Sequence, residues 1–182
     1  MSTKALHKGS EPAGLTGCPI ATSSEAAVLQ LPARKRALLI ASGGGHWIEL
    51  TRLADAFRGC HCEFVSTTAG LVAPVGEKPV IQVTDGSRDT MFSLLISFRE
   101  IWQVIRSRRP DVVVSTGAAP GAIGLFIARL HGIRTIWIDS VANSDKLSLS
   151  GRGARWIADL CLTQWPDLAS RDSRLRYFGR VL

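Results

Sequence analysis

No stretch of this sequence approaches the roughly 20 consecutive apolar residues that cross a bilayer, and its first residues lack the apolar core of a secretory leader. A cytosolic or peripheral protein is the expectation. Cysteine is scarce: Cys18, Cys60, Cys62 and Cys161 make no disulfide framework. Cys60-His61-Cys62 is spaced too closely for a zinc site and has no second pair. No metal and no cofactor are expected, and the thiols read as structural groups in a reducing compartment. Aromatic residues are few, and Tyr177 is the only tyrosine. With no paired-aromatic ribonucleoprotein motif, nucleic acid is set aside as a partner.

What remains is a globular composition, 46% hydrophobic and 20% charged over 182 residues, with room for one ordinary domain. Lys and Arg exceed Asp and Glu by 22 to 15, a net charge of +7, which favours an anionic partner such as a phosphorylated ligand or a membrane surface. Residues 1 to 34 mix Ser, Thr, Gly, Pro and Ala without periodicity and read as a flexible tail. From residue 35 to 182 the pattern is that of a folded domain.

Ala37 to Ser42 is a short apolar run ending in glycines, the form of a buried parallel strand. A helical pattern from His46 to Phe57 follows, then strands at Cys62 to Ser66 and Val80 to Val83. Met91 to Arg108 is a long helix. Asp111 to Ser115, with three consecutive valines, is the clearest strand. A helix at Ala122 to Leu130, a strand at Arg134 to Ile138 and a helix at Gly153 to Ala158 come next, with strands at Leu160 to Thr163 and Leu175 to Phe178. This alternation specifies an α/β, single Rossmann-like domain with a mostly parallel sheet.

Ligands in such sheets bind at the carboxyl ends of strands, and three ends are distinctive. The first is Ser42-Gly43-Gly44-Gly45-His46, the second Ser115-Thr116-Gly117-Ala118-Ala119-Pro120-Gly121, and the third Asp139-Ser140-Val141-Ala142-Asn143. They should converge on one crevice. Glycines between a strand and a helix let backbone N–H groups approach a phosphate, although a plain tight turn would use them equally. No Lys-Ser/Thr follows, which excludes a P-loop, and no acid closes the second strand to hold a nicotinamide ribose. His46, at a helix start, is favoured as a neutral imidazole able to exchange a proton; a cap or surface residue is the plainer alternative. Asp139 closes an apolar strand, and serves either as a partner for His46 or as a ligand for a nearby helix N-terminus.

These loops, with Gln164-Trp165-Pro166 and Tyr177-Phe178-Gly179, resemble the PssD/CpsF capsule and exopolysaccharide family. That family is similar to the membrane-anchoring subunit of the dolichol-linked N-acetylglucosaminyltransferase and to the N-terminal half of MurG, a two-domain GT-B enzyme. The resemblance implies the N-terminal, acceptor-binding half of a GT-B glycosyltransferase. Two GT-B domains need roughly 300 residues or more, so the donor half is expected on a separate catalytic subunit. The chain is then the membrane-associated subunit of a two-component hexosyltransferase with a UDP-sugar donor, inactive alone, in exopolysaccharide or capsule biosynthesis. It binds a polyprenyl-pyrophosphate-linked sugar acceptor at the cytoplasmic face of the inner membrane, peripherally. A non-catalytic membrane scaffold for the partner glycosyltransferase is the alternative.

In these terms His46 and Asp139 are the catalytic candidates. Ser42, Gly43, Gly44, Gly45, Thr116, Gly117, Ala118, Pro120, Gly121 and Asn143 are the acceptor-binding candidates. The long helix carries too many apolar residues for one buried stripe, which makes Phe92, Trp102, Arg106 and Arg109 the expected membrane contacts. A core helix whose basic C-terminus complements its dipole is the competing reading.

Overall fold

The computed structural model describes residues 34–76, 78–86 and 91–180. The expected tail lies, apart from Arg34, outside the described residues. Among them seven strands form one sheet: β1 (Arg36–Ala41), β2 (His61–Ser66), β3 (Ile81–Gln82), β4 (Val112–Ser115), β5 (Arg134–Ile138), β6 (Leu160–Leu162) and β7 (Leu175–Arg176). Their order is β3-β2-β1-β4-β5-β6-β7 and every neighbouring pair is parallel. The order reverses between β1 and β4, the switch point at which doubly wound sheets open a crevice.

Five helices connect the strands: α1 (Gly45–Leu53), extended by a 3-10 turn (Ala54–Phe57), α2 (Met91–Arg108), α3 (Ala118–Leu130), α4 (Leu149–Ile157) and α5 (Pro166–Arg171). Strand side chains alternate between two cores. Leu38, Ile40, Val65, Val113, Trp137 and Cys161 pack under α2, α3, α4 and α5. Ala37, Leu39, Phe64, Val114 and Ile138 pack under Trp47 and Leu50 of α1. On the α1 side Val112, Ile136 and Leu162 are only half-buried. Because the strands are parallel, each helix runs back antiparallel to them, so every helix begins at the carboxyl ends, beside the crevice.

The two later helices start four residues earlier than the sequence pattern suggests. Ala118–Gly121, expected as loop, is the first turn of α3, and Leu149–Arg152 opens α4. Pro120 is at the third helical position, where no intrahelical N–H is required. α5 went unforeseen, although Pro166 at its first position is a helix-start signal.

Candidate functional site

The three strand ends do meet. After β1 the chain turns at Gly44, whose φ of 69° is a left-handed conformation that glycine adopts without strain. Gly44 then opens α1 with no side chain capping the helix. Ser42 and Gly43 are half-buried, Gly44 and Gly45 exposed. The Gly43 N–H donates to Thr67 Oγ1 over 3.4 Å, and a Cβ on Gly43 would overlap the Thr68 hydroxyl. Backbone N–H groups are therefore presented at the open end of α1, as anion recognition by a helix terminus requires.

The second loop fixes His46. Thr116, fully buried, donates its hydroxyl to the His46 carbonyl over 2.7 Å. Gly117 has a φ of 152° and lies directly against the imidazole, where any Cβ would overlap the ring. Its N–H donates to Ser115 Oγ over 3.1 Å. Ala118 begins α3 with a positive φ of 63°, a conformation uncommon for alanine. Pro120 and Gly121 are buried. A Cβ on Gly121 would overlap Ser115 Oγ, and one on Gly124 would overlap Ile40. Gly121 is thus a packing glycine that seats α3 on the sheet.

The third loop is closed. Asp139 is 1% exposed, and both its oxygens are fully engaged. Oδ1 accepts from Trp137 Nε1 at 3.1 Å and Ser148 Oγ at 2.6 Å; Oδ2 accepts from Asn143 Nδ2 and from the Ser148 N–H, each at 3.1 Å. Ser148 in turn caps α4 by accepting from the Gly151 N–H at 2.9 Å. This is the helix-terminus reading of Asp139, with Asn143 as one of its donors. Gln164 Nε2 donates to the Asp139 carbonyl at 3.2 Å, and Trp165 Nε1 to the Val141 carbonyl at 2.8 Å, so the Gln164-Trp165-Pro166 motif braces this loop from β6.

One residue of the site escaped the sequence reading. Glu49, one turn after His46 on α1, is 3% exposed. Its Oε1 accepts from the Ser140 hydroxyl at 2.8 Å and the Val141 N–H at 2.9 Å, tying α1 to the third loop. Its Oε2 is 3.9 Å from His46 Nδ1. Burial pushes the Glu49 carboxyl up, but His46, the Val141 N–H and the Ser140 hydroxyl outweigh that and hold it below its ordinary value. His46 keeps 28% of its side chain accessible, so of the two catalytic candidates only it can touch a ligand.

On α2, Met91, Phe92 and Leu95 are 78%, 71% and 65% exposed, at the end of the helix nearest the crevice. Arg106 and Arg109 are exposed as well. Trp102 is not an outward contact: it is half-buried, stacked on Phe98 and edge-on to His131 with ring centroids 4.7 Å apart. Among the described residues no helix is long and apolar enough to cross a membrane. A concavity of about 900 Å³ lies among Lys35, Asp111, Arg129, Thr135 and Asp159, at the amino ends of the strands. It is remote from the three loops, and open parallel sheets take ligands at the other end.

Comparison with known proteins bears on the family and the fold. The model of the family described as "Oligosaccharide biosynthesis protein Alg14 like" matches residues 80–181, which include the second and third loops but not Gly43–His46. The UDP-N-acetylglucosamine transferase subunit ALG14 of Eremothecium gossypii is 40% identical over 90 residues, 43% of this chain and 40% of that protein. Its Mus musculus counterpart is 25% identical over 99 residues, 51% and 44% of the respective chains. The matches span less than half the length of these relatives. The fold resembles that of MurG from Acinetobacter baumannii, with a TM-score of 0.58 at 18% identity over 73% of this chain and 42% of that one. A UDP-N-acetylglucosamine 2-epimerase from Rickettsia bellii gives 0.62 at 13% identity, over 81% and 45%. The domain is similar to the N-terminal domains of GT-B glycosyltransferases.

Proposed function

The chain belongs to the Alg14-like oligosaccharide-biosynthesis family, and from that premise we propose that it is the acceptor-binding subunit of a two-component glycosyltransferase. In this reading a separate catalytic subunit binds the UDP-sugar, UDP-N-acetylglucosamine by the names of the relatives. The present chain holds a polyprenyl-pyrophosphate-linked sugar at the cytoplasmic face of the inner membrane, peripherally, and is inactive alone. The setting is exopolysaccharide or capsule assembly.

The observation that carries the reading is the placement of His46. It stands at the uncapped start of α1, against Gly117, and retains solvent access, while Asp139 is sealed. During transfer, an acceptor hydroxyl oxygen bonds to the anomeric carbon as the bond from that carbon to the UDP oxygen breaks. The hydroxyl proton passes to His46 Nε2, and UDP leaves with the bonding pair. Such a base contributes about 10²–10⁴-fold. The N–H groups opening α1 and α3 face the pyrophosphate, and Asp139 holds the third loop in shape without touching substrate.

The test is turnover of UDP-N-acetylglucosamine with a polyprenyl-pyrophosphate-linked sugar, with the donor subunit co-purified. His46→Ala lowers turnover by about 10²–10⁴-fold while the partner is still retained in a pull-down. Normal turnover by His46→Ala would move the base to the partner and leave this chain as a membrane scaffold. Turnover by the wild-type chain alone would end the two-component reading.

A further inference from the structure

Two polar atoms at the site are buried and have no hydrogen-bond partner, and they face each other: His46 Nδ1 and Glu49 Oε2, 3.9 Å apart. Buried polar groups are paired in the great majority of cases, so two adjoining orphans call for an explanation. Hydrogen bonds at catalytic sites are often long before substrate binds and tighten afterwards. The neighbours restrict what can move. Glu49 is fixed through its other oxygen by Ser140 and Val141. The His46 ring is confined by Gly117 on one side, and its backbone carbonyl is tied to Thr116. A small rotation of the ring would close the 3.9 Å gap between Nδ1 and the carboxylate.

We infer that Glu49 is the positioning residue for His46: its buried carboxylate accepts the Nδ1 proton, which fixes the neutral imidazole in the Nδ1–H tautomer and leaves the Nε2 lone pair for the acceptor hydroxyl. The role as helper of a base rests on the reading above; the tautomer itself does not. Glu49 never meets substrate. It acts through the ring, in the way that an orienting carboxylate does in nucleophile–base–acid arrays, by selecting the proton-bearing nitrogen and by facing the imidazolium once it forms. Its lowered pKa keeps it an acceptor throughout the neutral range. Because Oε1 grips the third loop, the ring orientation also depends on Ser140 and Val141, 91 and 92 residues beyond Glu49 in sequence.

The tautomer is read directly by long-range ¹H–¹⁵N correlation spectra of the ¹⁵N-labelled full chain at a pH above the histidine titrations, with His46 assigned by the loss of its signals in His46→Asn. Wild type is expected to show a bare, pyridine-like Nε2 and a protonated Nδ1. In Glu49→Gln the amide oxygen still accepts from Ser140 and Val141, so the NH₂ is turned toward His46 as a donor. The tautomer should then invert to Nε2–H. A bare Nδ1 in wild type overturns the inference, even if Glu49→Gln fails to fold. An unchanged tautomer in folded Glu49→Gln overturns it equally. With the donor subunit present, Glu49→Gln should lower kcat at least about tenfold with acceptor KM unchanged, and add little to His46→Ala. Full kcat in Glu49→Gln, where His46→Ala is impaired, overturns the positioning role. Normal turnover in His46→Ala would instead remove His46 as the base while the tautomer result stands.

Discussion

Replacing Asp139 with asparagine separates a structural carboxylate from a catalytic one. The wild-type group accepts four hydrogen bonds, two at each oxygen, and is 1% exposed. Asparagine keeps the shape but has one acceptor atom, and its NH₂ must face two of the four donors. Placed at Oδ1, the NH₂ can donate to Ser148 Oγ, but the indole N–H of the fully buried Trp137 is then orphaned. Placed at Oδ2, it orphans the Ser148 N–H at the start of α4, whichever way Asn143 turns. Either orientation strands one buried donor, at about 1–3 kcal/mol, and weakens the bonds that had been charge-assisted. A loss of about 3 kcal/mol is the expectation, which for a domain of this size lowers Tm by about 6–12 °C. Urea denaturation followed by tryptophan fluorescence should show a lower midpoint with an unchanged slope. If the midpoint stays at the wild-type value while turnover with the partner collapses, Asp139 is a reacting group and the account given of the third loop is wrong.

Gly117→Ala inserts a Cβ into the space of the His46 ring and imposes a strained φ costing about 1–3 kcal/mol. Turnover with the partner should fall nearly as far as in His46→Ala, and a variant with full activity would separate the second loop from the histidine. The lowered pKa of Glu49 makes its ionised form stabilising above the ordinary value of 4.5, and that contribution is lost as pH falls through the still lower folded value. Glu49→Gln should therefore flatten the loss of urea stability as pH falls below the ordinary carboxylate value of 4.5, and an identical slope would deny the carboxylate its partners. Phe92→Ser with Leu95→Ser should release the chain from anionic vesicles without changing Tm, whereas Trp102→Ser should unfold it. Vesicle binding that survives the double change removes α2 as the membrane contact.

Much of the fold was legible because strand and helix alternate with different periods. The valine run of β4 and the apolar run of β1 are each flanked by a helix of distinct pattern, and α2 begins and ends where its periodicity does. The starts of α3 and α4 were not legible. Ala118–Gly121 contains a proline and a glycine, and such residues read as loop even when the helix has begun. Gly121 and Gly124 owe their identity to Ser115 and Ile40, contacts that exist only after the helix lies on the sheet. Trp102 shows the limit of amphipathic reasoning. A residue at the border of the apolar stripe is assigned to solvent or core by its neighbour, here His131 at the end of α3. Glu49 was invisible for a similar reason: a glutamate in a helix reads as surface, and its burial follows from Ser140 and Val141, which belong to a loop after β5.

The distribution of charge assigns different work to the three strand ends. The chain carries a net +7, yet Ser42–Trp47, Thr116–Gly121 and Ser140–Asn143 contain no lysine or arginine. Several cations are engaged elsewhere: Lys78 and Arg108 on Glu63, Arg129 on Asp159, Arg155 on Asp172, and Arg174 over the ring of Trp156, while Arg180 lies over Trp165 beside the third loop. In the proposed function, an anionic acceptor at these loops would be met chiefly by backbone dipoles. The helix starts differ in their capacity for that. Ser148 caps α4 and is itself held by Asp139, so that terminus is spent. Those of α1 and α3 follow Gly44 and Gly117, with no side chain capping them, and each offers roughly half a positive charge. Both ends flank the switch point between β1 and β4, with His46 on the first turn of one and against the glycine that precedes the other, and in the proposed function both would face the diphosphate.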